Sequence, residues 1–322
     1  MSSGLLVTGG TGFLGQALLP KLLVSGRRPL IAAIRSKKTN FPAGVSVKCV
    51  KELGSSTDWA TCLQEVGVVI HCAARTHVMK EKTGDPLEEY RRVNVQGTLA
   101  LAVQAAKADV QRFVYISSIK VNGERTAPNQ AFHASDIPAP EDAYGISKLE
   151  AEQGLMDLAH KTGMEVVIIR SPLVYGPGVK GNFSSMVRWV RKGLPLPLGA
   201  VHNKRSLVAL DNLVDFIALC ADPERSPRAA NEVFLVSDDE AVSTTELLRK
   251  LGQAYGARVR LLPVPTSLIL VAANMLGKAA VADRLLGSLV VDNSKTRELL
   301  GWRPAVSMDQ QLRKMALYDT AI

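Results

Sequence analysis

Aromatic side chains are scarce in this chain, at 5% of 322 residues, and only seven of them are Phe. Proteins that hold single-stranded nucleic acid need rings between their cations, because bases stack on them. The formal charge of +9 does not supply that surface by itself. Its cations are dispersed, and the densest group, Arg35-Ser36-Lys37-Lys38, is short. Nucleic acid is therefore not expected as a partner, whereas a small anion such as a nucleotide suits the charge. Cysteine is equally sparse. Cys49, Cys62, Cys72 and Cys220 form no CxxC pair and no metal spacing, which reads as free thiols in a reducing, cytoplasmic compartment. His77, His133, His160 and His202 lack metal spacing as well, so no metal is expected. Long apolar runs are missing too. The longest, Ser267 to Ala282, is broken by Asn274, Gly277 and Lys278, and falls short of the ~20 residues that span a bilayer. It is expected to be a helix packed in a second lobe, with lying on a membrane as the lesser reading. A strand-like run begins close to Met1, so no signal peptide is expected.

What is present is an α/β pattern. Hydrophobic residues make up 47% and charged residues 21%, as in a folded enzyme. Unbroken apolar runs recur at Leu5–Val7, Leu30–Ile34, Val68–Cys72, Phe113–Ile116, Val166–Ile169 and Val233–Val236. Such runs mark strands buried on both faces. Helical periodicity fills the gaps at Gly12–Ser25, Leu87–Lys107 and Ala143–Thr162, the second opened by Asp85-Pro86 as cap and first-turn proline. The alternation predicts a doubly wound parallel sheet of the Rossmann kind. After Arg170 the texture changes to a Pro- and Gly-rich loop, a helix near Phe183–Lys192 and further helical segments. The expected division is a dinucleotide-binding domain over residues 1–170, rejoined by about 204–238, and a smaller substrate lobe over 171–322.

The first strand runs into Thr8-Gly9-Gly10-Thr11-Gly12-Phe13-Leu14-Gly15. Glycines at a strand-to-helix turn let backbone amides approach a pyrophosphate, and the helix N-terminus adds partial positive charge. Gly9, Thr11, Gly12, Phe13, Leu14 and Gly15 are thus candidate cofactor contacts. An acid at the end of the second strand selects NAD through the ribose hydroxyl. Here "LIAAIRSKK" offers Arg35 and Lys38 instead. One charge-assisted bond from such a cation to a 2′-phosphate contributes roughly 1.5–3 kcal/mol, so the expectation favours NADP over NAD, unless these cations are only a solvated face.

Tyr144 and Lys148 lie four apart on a helical stretch and share its face. Ser117 and Ser118 end a buried strand, where ligands of open α/β sheets bind. A phenol, with reference pKa about 10, is a poor base near neutrality. A neighbouring ammonium is expected to lower it.

With these residues in order the chain resembles the extended short-chain dehydrogenase/reductases that act on nucleotide sugars. The resemblance covers nearly the whole length. It adds His71-Cys72-Ala73-Ala74, Val93-Asn94-Val95-Gln96-Gly97-Thr98, the loop from Arg170 to Pro177, and Leu300-Gly301-Trp302. It implies that Tyr144 is the acid/base, that Lys148 binds the nicotinamide ribose, and that Ser118 holds the reacting oxygen. Ser118 is preferred to Ser117 because the family's Ser/Thr lies three before the Val of "VYG", here Val121-Asn122-Gly123. It also implies that Leu53, Ala73 and Ala74 line the cofactor. Arg75, Lys120, Asn182, Arg205 and Arg284 then face a UDP-sugar, although Arg205 and Arg284 also fit ordinary surface roles. Family members commonly pair as homodimers through the two long helices.

Departures narrow the reaction. The family's 4,6-dehydratases place Asp-Glu after the catalytic Thr, but Ile119-Lys120 follows Ser118. Epimerases usually carry an acid where Arg35 stands. The leading expectation is therefore NADPH-dependent reduction of the C4 ketone of a UDP-4-keto-hexose, such as UDP-4-keto-6-deoxy-N-acetylglucosamine, in polysaccharide synthesis. The alternatives are a UDP-sugar 4-epimerase with tightly bound NAD, and a non-catalytic NADP-binding sensor.

Overall fold

The computed structural model describes residues 4–35, 41–76 and 85–320. Six strands come first: β1 (Gly4–Thr8), β2 (Leu30–Ile34), β3 (Val45–Cys49), β4 (Val66–His71), β5 (Arg112–Ser118) and β6 (Glu165–Ser171). Helices join them: α1 (Phe13–Val24), α2 (Ala60–Leu63), α3 (Pro86–Tyr90), α4 (Gly97–Lys107) and α5 (Ala143–Thr162). The chain then leaves the sheet through β7 (Leu173–Tyr175), α6 (Asn182–Arg191), β8 (Pro195–Leu196), β9 (Arg205–Ala209) and α7 (Leu210–Cys220), and returns to it as β10 (Glu232–Leu235). The main sheet has the order β10-β6-β5-β4-β1-β2-β3, and every pairing in it is parallel.

Side chains alternate through this sheet with the period of two that a strand imposes. Leu5 and Val7 of β1 pack with Leu18 and Leu22 of α1 and Phe216 of α7. Leu6 points the other way, into a layer with Leu101 of α4 and Leu155 of α5. Both faces are covered, which is why the inner strands read as continuous apolar runs. Each fully buried Leu or Phe contributes about 1.5–3 kcal/mol. Trp302 closes the first layer: its ring lies 5.0 Å from that of Phe216 and its Nε1 donates to Asp215 at 3.0 Å.

Helix boundaries follow local chemistry. The Asp142 carboxylate accepts from the Gly145 amide at 2.7 Å to start α5, and Gly163, at φ +76°, ends it. Asp85 accepts from the amides of Leu87 and Glu88 ahead of Pro86. The single helix expected over Leu87–Lys107 is instead α3 and α4 joined by a π-helical stretch, Arg91–Gln96. The widened turn carries Asn94, whose side chain accepts from the Arg75 amide at 2.8 Å and donates to the Arg75 carbonyl and Ser147 Oγ, both at 3.0 Å. Gly97 follows it, so close to Leu53 that a Cβ would stand 2.9 Å from Leu53 Cγ.

The remaining elements are β11 (Ala241–Val242), α8 (Thr244–Ala254), β12 (Arg260–Leu261), α9 (Thr266–Met275), α10 (Ala279–Leu286), α11 (Ser294–Leu300) and α12 (Met308–Thr320). A three-stranded sheet, β11-β9-β7, packs with α6, α8 and α12 around Tyr175, Phe183, Leu248 and Leu312. Asp238, just after β10, ties this lobe to the main sheet. It accepts from Tyr175 Oη at 2.7 Å, the Ala209 amide at 2.8 Å and Asn212 Nδ2 at 2.7 Å.

One expectation fails here. The apolar run Ser267–Ala282 was expected to pack inside the lobe, but α9 buries no residue. Leu268, Val271 and Met275 are 59%, 57% and 84% exposed. The lobe core is already filled from α6, α8 and α12, so α9 and α10 lie outside it and only Ile269, Leu285 and Leu286 reach its edge. No helix among the described residues is long and apolar enough to cross a membrane.

Candidate active site

Crossovers leave β1 toward β2 and β3 on one side and β4 toward β5 and β6 on the other. The crevice above the C-terminal ends of β1 and β4 is where such sheets bind ligands. Gly9 turns there at φ +70°, with the Ala73 amide so near that a Cβ would stand 2.8 Å from it. The Gly12 amide donates to the Gly9 carbonyl at 2.9 Å. At Gly15 a Cβ would lie 2.3 Å from that same carbonyl, so α1 can approach the turn only without one. No side chain caps α1 at Gly12, which leaves its first amides for a ligand. This backbone cradle fits a dinucleotide pyrophosphate. Thr11 and Gly12 are exposed, and Phe13 and Leu14 are half-buried beside it.

A buried chain of three side chains locks the two strand ends. Thr8 Oγ1 and His71 Nδ1 are 2.8 Å apart, and His71 Nε2 and Thr98 Oγ1 are 3.0 Å apart. Thr8 Oγ1 also accepts from the Ala73 amide at 3.2 Å. Burial, aided by the Lys148 charge, pulls His71 down to a pKa of about 3, so the ring is neutral near pH 7. Sequence reading placed His71 in a motif but not in this role. A histidine between two apolar strand residues and a partner 27 positions away is the available signal.

The structure brings Tyr144, Lys148 and the end of β5 together. Lys148 is buried, and its Nζ donates to the Ile116 carbonyl at 2.6 Å. The same atom lies 4.3 Å from the ring centre of Tyr115 and 5.9 Å from that of Tyr144. Burial lowers the Lys148 pKa to about 8, against the raising influence of Glu152 and Cys72. Tyr144 does not behave as expected. Burial, then Asp142 and Tyr90, hold its phenol above the ordinary value. Desolvation of the phenolate outweighs the ammonium at this separation, so Tyr144 carries its proton in the form described. The Tyr90 ring meets it edge-on at 6.1 Å. Ser118 Oγ accepts from the Lys120 amide at 3.3 Å.

Beneath this group lies a charged pair of which the motifs marked Arg170 but not Glu152. Ser117 Oγ donates to Glu152, and Arg170 donates to both Glu152 oxygens at 2.6–3.1 Å. Arg170 Nη1 continues to Asn122 Oδ1 at 3.0 Å. The readable signal was spacing: Glu152 stands one helical turn after Lys148, on the same buried face of α5.

The other predicted residues scatter. Arg35 follows β2 in an exposed position, and Lys38 lies outside the described residues. Leu53 packs on Gly97, and Ala73 and Ala74 follow β4. The Arg75 guanidinium lies 5.6 Å from the Tyr90 ring centre. Lys120 is held in ion pairs with Glu124 and Asp142. Asn182 is the exposed first residue of α6. Arg205 Nη1 donates to the Gly287 carbonyl at 3.0 Å, and burial draws its pKa down. Arg284 is exposed on α10. Among the described residues no cluster of His, Cys, Asp or Glu fits a metal.

Comparison with known proteins extends this geometry. The model of the NAD dependent epimerase/dehydratase family matches residues 5–234. The chain belongs to that family. It is 46% identical over 317 residues to a UDP-glucose 4-epimerase of Vibrio cholerae, covering 98% of this chain and 95% of that one. In fold it is similar to the UDP-N-acetylglucosamine 4-epimerase from Bacillus cereus (TM-score 0.78, 21% identity, 98% and 99% of the two chains). It is also similar to the UDP-glucuronic acid 4-epimerase from Bacillus cereus in complex with NAD (TM-score 0.78, 20% identity, 99% of each). The chain is thus an enzyme of a nicotinamide-dinucleotide family with a Rossmann-type sheet. The expected preference for NADP finds no support: the family is described as NAD dependent.

Proposed function

We propose that this enzyme is a UDP-sugar 4-epimerase working with retained NAD. The observation that carries the proposal is the near full-length match to the Vibrio cholerae enzyme together with Ser118, Tyr144 and Lys148 on adjoining elements. The C4-ketoreductase reading drew its strength from Arg35 and Lys38, and it gives way with the NADP preference. A non-catalytic sensor does not need the Tyr144/Lys148 pair.

Held on the glycine turn, NAD would supply reversible hydride chemistry at C4 of the sugar and a positive charge in the cleft. Tyr144 takes and later restores the proton of O4. Lys148, with its ammonium anchored on the Ile116 carbonyl, adds the fixed charge that favours the phenolate and holds the ribose. Ser118, whose oxygen is already oriented by the Lys120 amide, donates a hydrogen bond to O4 and keeps its proton. Gly9, Gly12 and Gly15 seat the pyrophosphate, while Leu53, Ala73 and Ala74 wall the cofactor. Asn182 and Arg205, with Arg75, Lys120 and Arg284 around them, hold the UDP part; a guanidinium fork matches a diphosphate. In this scheme residues 1–170, rejoined by about 204–238, form the cofactor domain, and the rest of residues 171–322 the sugar lobe. The enzyme works in the cytoplasm as a homodimer paired through α4 and α5.

The test is to incubate purified protein with UDP-glucose or UDP-N-acetylglucosamine and no added nicotinamide, following the galacto product by NMR. Interconversion is expected. No product from either sugar, together with NADPH oxidation on UDP-4-keto-6-deoxy-N-acetylglucosamine, overturns the proposal in favour of the reductase.

A further inference from the structure

The α9–α10 hairpin is an apolar feature that the active site leaves unused. On α9, Leu268, Val271, Ala272 and Met275 fall at helical spacing on one exposed face. Leu276 between the helices is 70% exposed, and Leu262 before them and Val281 within α10 are 50% and 49% exposed. The opposite side of α9 is anchored, since Ile269 reaches the lobe core. Contiguous apolar surface of this kind marks a contact with something else.

Charge says what that is. Besides Arg284, which the proposed function places by the UDP part, residues 257–287 carry Arg258, Arg260 and Lys278 against one acid, Asp283. Arg258, Arg260, Lys278 and Arg284 are all exposed. Lys192, also exposed, ends α6 just before β8, and β8 pairs with β12 at Pro195 and Arg260. Exposed cations therefore both precede and follow the apolar helix in the chain. A second copy of this chain fits it poorly, because a two-fold contact brings the same excess of positive charge against itself. A lipid surface with anionic headgroups fits both parts, taking the apolar side chains into its acyl boundary and the cations against its phosphates.

We propose that the α9–α10 hairpin docks this enzyme on an anionic membrane surface, lying on the bilayer and not crossing it. The hairpin also adjoins the proposed sugar lobe contacts: Arg205 Nη1 and Asn203 Nδ2 both donate to the Gly287 carbonyl that follows α10. Docking therefore places the mouth of that lobe near the headgroups.

The full-length protein is floated on a density gradient with vesicles of phosphatidylcholine, with or without phosphatidylglycerol. Co-flotation is expected with the anionic vesicles only, and is expected to fall at high salt. Lys278→Gln and Arg260→Gln are each expected to lower partitioning about fivefold. A Leu268→Glu/Val271→Glu variant is expected to stay at the bottom while melting at the wild-type temperature, since both positions are exposed. The proposal is overturned if the wild-type chain fails to float, or if the Leu268→Glu/Val271→Glu variant floats as well. It is also overturned if sedimentation shows that these substitutions split a dimer without changing flotation, which assigns the face to a second copy. None of these measurements depends on the sugar reaction.

Discussion

Arg170 grips Glu152 through two nitrogens, at 2.6 Å and 3.1 Å, with both side chains no more than 5% exposed. The pair joins β6 to α5 one turn below Lys148, and Ser117 completes the carboxylate's shell. A buried charge stripped of its partner is costly. Arg170→Met is expected to lower stability by about 3–5 kcal/mol, measured by urea unfolding. Arg170→Met/Glu152→Met is expected to recover a large share of that loss. A double variant no more stable than Arg170→Met contradicts the pairing as the source.

Tyr144→Phe is expected to reduce kcat by about 10²–10⁴ while leaving the thermal midpoint within a degree or two of wild type. The Tyr90 ring still meets an aromatic edge in that variant. Steady-state kinetics with UDP-glucose, paired with calorimetry, checks both halves. Full activity without the phenol removes Tyr144 from the proton path.

Lys148 titrates near 8 in the folded protein against 10.5 for an exposed lysine. Between those values the unfolded chain binds the extra proton, so folding stability rises with pH across that window, with a slope of about 1.4 kcal/mol per pH unit from this group. Below about pH 8 the proton is held in both states and the slope vanishes. Lys148→Met is expected to flatten the difference between pH 8 and 10. Unfolding curves of both proteins over that range supply the measurement.

His71 carries the same logic into acid. Its folded pKa of about 3 lies below the ordinary 6.5. The unfolded chain protonates first, so stability drains as pH falls from 6.5 toward 3. His71→Gln is expected to cost about 1–2 kcal/mol at pH 7 through its lost bonds to Thr8 and Thr98, yet to be less acid-sensitive than wild type. A parallel decline of the two proteins below pH 6 speaks against the histidine.

Gly15→Ala places a methyl group 2.3 Å from the Gly9 carbonyl. The turn has to shift, at about 1–3 kcal/mol, and the cradle for the cofactor shifts with it. Less nicotinamide is expected to copurify with the variant, read by absorbance after denaturation.

How much of this was legible beforehand depended on range. The glycine turn, the Asp85-Pro86 start and the span of α5 are written in neighbouring residues, and they fold as their spacing implies. Unbroken apolar runs announced the parallel strands for the same reason. What escaped sequence reading was set by distant partners. The π-helical stretch at Arg91–Gln96 exists because Asn94 must reach Arg75 and Ser147, and Gly97 must pass Leu53. The apolar run around Leu268 looks like any core helix until one sees that the core is already filled. Tyr144 misled for a third reason. A lysine four residues away is visible in the sequence, whereas the loss of water around the phenol is not.

Asp238 gathers the end of β7, the end of β9 and the first turn of α7 onto the segment that follows β10. The lobe is stapled at its root by a single carboxylate that water hardly touches. Its walls are therefore poorly suited to swinging apart in the middle of a turnover. Under the proposed 4-epimerase function, turning the sugar about its own single bonds is an easier route to its second face than prising this root open.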